Sequence, residues 1–306
     1  MSSPAPAVAV LGAGLLGDRI AERIQARPDL EMAARSADST EPPAGTGCVV
    51  YVPSFAEIAS KTPETVLPRL LRDGYNVIST APFDSDIRAG ELRDACRAGD
   101  STFHATGAFQ TTIPARLIRS LAEVTRDIRR VEIVEELDLP GTGVYPWGAV
   151  TETGIGTPDT AAAACAAVVD GYYTAGLRVV DEVVFGGAAG AVAIPSHSVD
   201  VVTGRDGLVE KVIVARDLGP SLSYRSVWSA ATTDRAPLRY RLTTTTDSAK
   251  GTANVRFRCT EGLHPADHLT CGNVVEAIRP VHAQAAGIAP RDLAITHLVP
   301  DDRLTG

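Results

Sequence analysis

The sequence predicts an α/β fold in which a doubly wound parallel sheet is followed by a second domain of α+β type. Three observations support this prediction. Short apolar runs alternate with amphipathic stretches over residues 7–123, and strand-like runs dominate from residue 129 onward. The chain of 306 residues is also long enough to form two packed units.

The first part of the chain alternates strands with helices. The apolar run Ala7–Leu11 is bounded by glycine, which is typical of a strand buried on both faces, and residues 14–26 have helical apolar spacing. The same patterns predict strands at 30–34, 48–52, 76–80 and 102–105, and helices at 62–73, 87–98 and 113–123. Strands joined through helices run parallel, so these elements predict one parallel sheet.

Strand-like segments dominate the second part. We expect strands at 131–135, 179–185, 208–215, 238–245 and 252–259, an alanine-rich helix at 159–175, and a last helix at about 269–286. These strands predict a mixed or antiparallel sheet. We therefore place the domains at 1–128 and 129–262, and the last helix with its tail at 263–306.

The composition argues against several classes of protein. A formal net charge of -8, without any Lys/Arg-rich run, disfavours a nucleic-acid partner or an anionic membrane surface. The five cysteines include no C-x-x-C pair, which fits neither a disulfide framework nor a zinc site and favours a reducing, cytoplasmic location. We expect no metal, and no segment approaches the ~18 apolar residues of a membrane span.

A glycine-rich turn joins the first predicted strand to the first predicted helix. Residues 12–17 read Gly-Ala-Gly-Leu-Leu-Gly, the G-x-G-x-x-G pattern of dinucleotide-binding turns. The first glycine permits the tight turn, the second lets the backbone approach a pyrophosphate, and the third allows close packing of the helix. The alternative is a glycine-rich turn without a ligand. We predict a Rossmann domain that binds its dinucleotide at Gly12, Gly14, Leu15, Leu16 and Gly17.

The end of the second predicted strand indicates which dinucleotide binds. An NAD-preferring domain usually carries Asp or Glu there, whereas this sequence has Arg35 and Ser36. The Arg35 guanidinium can donate two hydrogen bonds to a 2′-phosphate, and the hydroxyl of Ser36 can donate another. NADP(H) is therefore the expected cofactor. The alternative is a solvated Arg35 with Asp38 on the ribose. Residues after the other parallel strands complete the predicted cofactor site: Pro53, Thr80, Ala81, Pro82, Thr106 and Gly107.

A nicotinamide cofactor supplies the hydride, so the protein must handle one proton. His104 can act as a general acid near neutral pH, or be a packed strand histidine. Glu135 and Glu136 point to opposite faces of a strand, and one of them with a raised pKa can release a proton. We expect Asp138 at an exposed strand end. Tyr145 lies in an aromatic loop and is either a hydroxyl donor or a structural residue.

Three longer segments resemble a known family. Asn76–Thr80, Ala105–Phe109 and especially Cys271–Val281 resemble the dihydrodipicolinate reductase-like group, and within it the 2,4-diaminopentanoate dehydrogenases and native amine dehydrogenases. The resemblance implies a Rossmann domain, a sheet domain for substrate and dimer contacts, and a C-terminal helix that returns to the first domain.

The chain departs from this family at two motifs. Residues 134–143 replace the paired histidines and lysine of true dihydrodipicolinate reductases, which argues against a role in lysine biosynthesis. The catalytic glutamate of the amine dehydrogenases falls on Pro82, with Asp84 as the nearby carboxylate. The sequence therefore predicts an NADPH-dependent reductase for a small imine or conjugated C=C substrate, assembled as a homodimer or higher homo-oligomer. The alternatives are an amine or diamino-acid dehydrogenase and a non-catalytic NADP-binding sensor.

Overall fold

The structure of the chain is a computed structural model. It confirms the fold class predicted from the sequence, an α/β fold with a parallel sheet and a second sheet domain. It describes residues 5–12, 14–37, 41–54, 57–58, 60–81, 85–108, 113–139, 173–187, 196–205, 209–230, 236–258 and 264–290.

Six parallel strands form the first sheet. They are β1 (Ala7–Leu11), β2 (Glu31–Ser36), β3 (Cys48–Tyr51), β4 (Asn76–Ser79), β5 (Thr102–Ala105) and β12 (Gly287–Ile288). Their spatial order is β12-β5-β4-β3-β1-β2. The chain therefore reverses its direction of travel across the sheet at β1, and such a switch point opens a crevice at the carboxyl ends of the strands.

Helices cover both faces of this sheet. On one face, α1 (Leu15–Gln25) and α5 (Pro265–His282) pack against side chains such as Val8, Val10 and Ile78. On the other, α2 (Pro63–Arg72) and α3 (Ser85–Gly99) pack against Ala9 and Val77. Double coverage explains why β1 and β3, in the middle of the sheet, are continuous apolar runs rather than alternating ones.

The last helix runs alongside the first. Nη2 of Arg23 lies 2.8 Å from Nδ1 of His268, and Nη1 of Arg27 donates to Oε1 of Glu276 at 2.7 Å. The contacts advance in the same direction along both helices, so α5 is parallel to α1. Its N-terminus consequently lies at the same edge of the sheet as the glycine-rich turn, and β12 then joins the sheet beside β5.

The second sheet also has six strands but is mixed. They are β6 (Arg130–Asp138), β7 (Ser196–Thr203), β8 (Val209–Leu218), β9 (Leu222–Ser229), β10 (Leu238–Thr245) and β11 (Lys250–Phe257), in the order β11-β10-β6-β9-β8-β7. Only β6 and β9 pair in parallel within the described sheet. One face packs against α4 (Ile113–Val124) and the helical residues 173–185.

The opposite face of the second sheet carries many charged side chains and is partly exposed in the part of the chain that the structure describes. A groove on it runs between β6, β10 and β11. Exposed side chains of this face include Glu136, Arg225, Arg241, Asn254 and Arg256. Opposite charges therefore lie side by side on a surface that the described helices leave uncovered.

Several elements differ from the sequence predictions. Residues 179–185 were expected to be a strand and are helical. The valines of this segment favour a strand, but Tyr173, Leu177 and Val180 are buried at helical spacing, and their packing on the sheet overrides that preference. The predictions missed β7 and β9, and they ended β6 at 135 rather than Asp138. The predicted alanine-rich helix lies mostly outside the described residues.

Among the described helices, none combines the length and apolar character required to cross a lipid bilayer.

Candidate functional site

The glycine-rich turn lies at the carboxyl end of β1. Gly12 has φ +119°, and a Cβ on it would lie 1.9 Å from the backbone oxygen of Val52, so only glycine fits here. Gly14 has φ +93° and no atom within 4 Å of the position of a Cβ. The first glycine thus satisfies the tight turn, and the second faces open space into which a ligand can approach.

Helix α1 begins directly at this open space. Gly14 is its N-cap residue, and no side chain caps it among the described residues. The first N–H groups of the helix are therefore available to an external acceptor, and the helix dipole favours an anion there. Leu15 and Leu16 are the first two residues of the helix, so their backbone N–H groups have no intrahelical acceptor and can donate to a phosphate. The turn fits a dinucleotide pyrophosphate.

Arg35 lies over the turn rather than in solvent. Its Nη1 donates to the backbone oxygens of Gly12 at 2.6 Å and Ser36 at 2.7 Å. Its Nη2 donates to the oxygen of Gly14 at 3.3 Å, and its Nε donates to Oδ1 of Asp18 at 3.0 Å. The solvated alternative for Arg35 is therefore wrong, since the side chain is only 19% exposed and fully engaged.

Gly17, the third glycine of the turn, lacks a side chain for a different reason from the one predicted. A Cβ on Gly17 would lie 2.6 Å from Nη2 of Arg35. The absence of a side chain at Gly17 therefore makes room for the guanidinium rather than for a strand. Asp38, the alternative ribose ligand, lies outside the described residues.

The ends of β3, β4 and β5 form the rest of this edge. The chain holds them together through backbone bonds that run beyond the strands, such as the 3.1 Å bond from Thr80 N to Tyr51 O and the 3.0 Å bond from Thr106 N to Ser79 O. Pro53, Ala81 and Gly107 are buried beside them. The structure thus brings together the residues predicted to border the cofactor, except Pro82, which lies outside the described part of the chain.

The N-terminus of α5 meets this edge and the second domain. The N–H of Ala108, just after β5, donates to the hydroxyl of Thr270 at 3.3 Å. Ala108 and Ala266 belong to the same apolar core as Leu137 and Leu139 of the second domain. The two domains therefore meet where a nicotinamide ring would extend from the glycine-rich turn.

Two titratable residues at this junction were not among the predicted site residues. His264 is the N-cap residue of α5, where its Nδ1 accepts from the N–H of Ala266 at 3.1 Å. Burial lowers the pKa of His264 to about 4, although the neighbouring Asp138 favours its charged form. Asp267, in the first turn, is 4% exposed, and burial raises its pKa to about 7. Near neutral pH, therefore, His264 is uncharged, and the carboxyl of Asp267 is close to its pKa, so that it readily gains and loses a proton.

The sequence did carry a signal for these two residues. Pro265 follows His264, and proline at the first position of a helix with an acidic residue in the first turn is typical of a helix start. The predicted start at 269 came from apolar spacing alone. The helix begins four residues earlier, at Pro265, and so reaches the junction.

Glu135 lies in the core of the second domain with no exposed surface. Four hydroxyl groups from three neighbouring elements donate to its carboxylate. Tyr173 (2.7 Å) and Ser226 (2.5 Å) donate to Oε1, and Tyr224 (2.9 Å) and Tyr240 donate to Oε2. Burial raises the pKa of Glu135, and the four hydrogen bonds oppose that rise. We call Glu135 and these four residues the Glu135 cluster.

Glu136 points to the opposite face, as predicted for its alternating position. Its Oε2 accepts from Nε of Arg239 at 2.8 Å, and its side chain is 51% exposed. Arg239 also donates through Nη2 to Oδ1 of Asp138 at 3.1 Å. The expectation that Asp138 lies at an exposed strand end is wrong, because Asp138 has no exposed surface and is paired with Arg239.

His104 and Tyr145 are the other two predicted proton donors. His104 is 1% exposed in β5, opposite Ile78 of β4. The alternative interpretation, that His104 is a packed strand histidine, agrees with this burial. Tyr145 lies outside the described residues. Within the described part of the chain, no group of three or more His, Cys, Asp and Glu side chains is arranged to hold a metal ion.

Comparisons with known proteins identify similar folds. No family model matches the chain, and no curated protein matches it in sequence. The structure is similar to that of an amine dehydrogenase from Mycobacterium smegmatis, with a TM-score of 0.62 and 14% identity over 94% of this chain and 95% of that one. It is also similar to a scyllo-inositol dehydrogenase from Lactobacillus casei, with a TM-score of 0.60 and 10% identity over 96% and 93% of the two chains.

A third similar structure holds a cofactor. This protein, GenD2 from gentamicin A biosynthesis, was solved in complex with NAD, and it matches with a TM-score of 0.57 and 14% identity over 96% of this chain and 92% of that one. At such low identities these likenesses establish the two-domain fold alone. The resemblance to the dihydrodipicolinate reductase-like group remains a prediction from the sequence.

Proposed function

We propose that the chain is a cytosolic, NADPH-dependent reductase that transfers hydride to a small imine or conjugated C=C substrate. The observation that carries the proposal is the open turn at Gly12 and Gly14, which begins α1 at the carboxyl edge of a parallel sheet. Similar folds that hold a nicotinamide dinucleotide support the cofactor class. The junction of the two domains at the N-terminus of α5 would give the nicotinamide end of the cofactor a buried environment.

The bound cofactor would supply the hydride, and the protein supplies position and a proton. The backbone of Gly12, Gly14 and the first turn of α1 would hold the pyrophosphate. Thr80 and Gly107, which follow β4 and β5, would border the nicotinamide. The second domain would close the site against water, because its core continues onto Ala108 and Ala266.

Arg35 is proposed to select NADPH over NADH. We expect Arg35→Asp to narrow or reverse the preference, because it removes a charge-assisted fork worth about 1.5 to 3 kcal/mol, on the order of 10- to 100-fold in affinity. Titration of the parent protein and of the variant with NADPH and with NADH measures this preference. Equal dissociation constants in the parent protein would refute the assignment to NADP.

Glu135 is proposed as the proton donor ahead of Glu136, His104 and Tyr145. Burial shifts its pKa upward, which is the direction that favours a general acid, whereas Glu136 is exposed on the opposite face. Because Glu135 is enclosed and accepts four hydroxyl hydrogens in this structure, it would first take up a proton and then pass it on through a hydroxyl such as that of Tyr173, which would release its own proton as it accepts the new one. Asp267 is the further candidate at the junction, since its pKa near 7 suits proton exchange.

An amine dehydrogenase is the second candidate function. The observation that favours it is the similarity to the amine dehydrogenase from Mycobacterium smegmatis. Oxidation of NADPH with ketones plus ammonia, compared with preformed cyclic imines and enones, distinguishes the two. Turnover only with ketone and ammonia favours the dehydrogenase. Tight NADPH binding without turnover of any carbonyl, imine or enone favours the non-catalytic sensor.

A homodimer formed through the exposed face of the second sheet is also proposed. The face carries complementary charges such as Glu136 and Arg241, and closed twofold dimers are the commonest assembly. We expect light scattering to give twice the 32.0 kDa chain mass at micromolar concentration. Val134→Glu, which adds a charge in the groove, should shift the particle towards the monomer. A monomeric parent protein would contradict the proposal.

A further inference from the structure

We infer that Asp18 is a specificity-determining residue of the dinucleotide site, which acts by competing with the cofactor's 2′-phosphate for Arg35. The inference rests on the proposed function, because it concerns how strongly this site distinguishes NADPH from NADH. It follows from the set of acceptors that the guanidinium already has.

Each nitrogen of the Arg35 guanidinium already has an acceptor. A guanidinium has five N–H donors in a rigid plane. Backbone oxygens of Gly12, Ser36 and Gly14 accept three of them. Oδ1 of Asp18 accepts a further one from Nε at 3.0 Å and also lies 2.9 Å from Nη2, which makes the pair a close ion pair. A phosphate that is to bind Arg35 in a bidentate manner must therefore displace acceptors that are in place.

Asp18 is the acceptor that is easiest to displace. Its side chain is 57% exposed, so its carboxylate returns to water when the ion pair breaks. The oxygens of Gly12 and Ser36 are part of the turn itself, and Ser36 O also accepts from Gly12 N at 2.9 Å. Nε and Nη2, the edge of the guanidinium that Asp18 occupies, form the fork that a phosphate would use.

The competition acts on NADPH and not on NADH. NADH carries a ribose hydroxyl at the 2′ position, which gains little from the guanidinium fork and does not need Asp18 to leave. NADPH gains the fork only after Asp18 has left, and the released carboxylate then repels the phosphate. Asp18 therefore lowers the ratio of NADPH affinity to NADH affinity that Arg35 alone would give.

Asp18→Asn tests this inference, with dissociation constants for both cofactors measured by nicotinamide fluorescence. We expect the affinity ratio of NADPH to NADH to rise roughly 3- to 10-fold, the scale of one partly exposed charged pair. Glu22→Gln is the matched control. It removes an equal charge one turn further along α1, where Glu22 pairs with Arg19, and should leave the ratio unchanged.

The same substitution in an Arg35→Ala background completes the test. If Asp18 acts through Arg35, the double variant should show no rise in the ratio relative to Arg35→Ala alone. An equal gain for both cofactors, or a rise that persists without Arg35, would show that Asp18 acts only as a nearby negative charge and overturn the inference. Failure of the parent protein to bind either cofactor would instead overturn the proposed function, and the inference with it.

Discussion

Glu135→Gln is expected to lower the free energy of unfolding by about 2 to 4 kcal/mol. Glutamine has one acceptor oxygen where the carboxylate has two, so the four hydroxyl donors of the Glu135 cluster cannot all keep their acceptor. The site is closed to water, and a buried donor without an acceptor keeps its desolvation penalty. Urea unfolding at neutral pH measures the loss.

Glu136→Gln is the matched control for this variant. The same chemical change one residue along β6 removes an exposed partner of Arg239, which keeps Asp138. We expect a change within about 0.5 kcal/mol. Equal destabilisation by the two variants would contradict the role assigned to the buried cluster.

Turnover of the folded variants separates stability from catalysis. If Glu135 is the proton donor, Glu135→Gln measured well below its unfolding midpoint should lose roughly 100- to 10,000-fold in turnover while NADPH affinity changes little. Full turnover in folded Glu135→Gln, together with loss of activity in His104→Ala or Tyr145→Phe, would place the donor in β5 or in the aromatic loop.

The sequence was most informative where backbone chemistry restricts the residue type. Gly12 could be recognised because a tight turn and a close approach of Val52 O admit only glycine. Strands β1 and β3 of the first sheet could be recognised because burial on both faces makes them apolar throughout. These local requirements placed the turn, the sheet and most of the cofactor edge without knowledge of any long-range contact.

The second domain was harder to predict because its pattern depends on partners distant in the sequence. Ser226 and Glu135 are polar residues that point into the core, where Ser226 donates to Glu135 and accepts from the indole N–H of Trp228, and Glu135 also accepts from tyrosines. Such residues break the alternation that identifies a strand, so β9 was missed. Arg35 is similar: its residue type suggested a phosphate ligand, but only the fold shows that Asp18 already pairs with it.

The two titratable residues at the junction should give opposite dependences of stability on pH. Folding raises the pKa of Asp267 from 3.8 to about 7, so its contribution to stability is present at low pH and is lost as the pH rises towards 7. Folding lowers the pKa of His264 from 6.5 to about 4, so its contribution is present above pH 6.5 and is lost as the pH falls towards 4. Between pH 4 and 6.5 the two effects largely cancel, because folding moves a proton from the histidine to the aspartate without net uptake.

Removing either residue should expose the effect of the other. The free energy of unfolding of Asp267→Asn relative to the parent should rise between pH 4 and 7, by up to about 4 kcal/mol, because the ionised carboxyl no longer has to be buried. For His264→Asn the difference should fall between pH 4 and 6.5, by up to about 3 kcal/mol, while the asparagine keeps an acceptor for the N–H of Ala266. Differences between variant and parent cancel the other titrating groups. Urea unfolding from pH 4 to 8 measures both curves, and a flat difference for Asp267→Asn would mean that its carboxyl is hydrated or paired in solution.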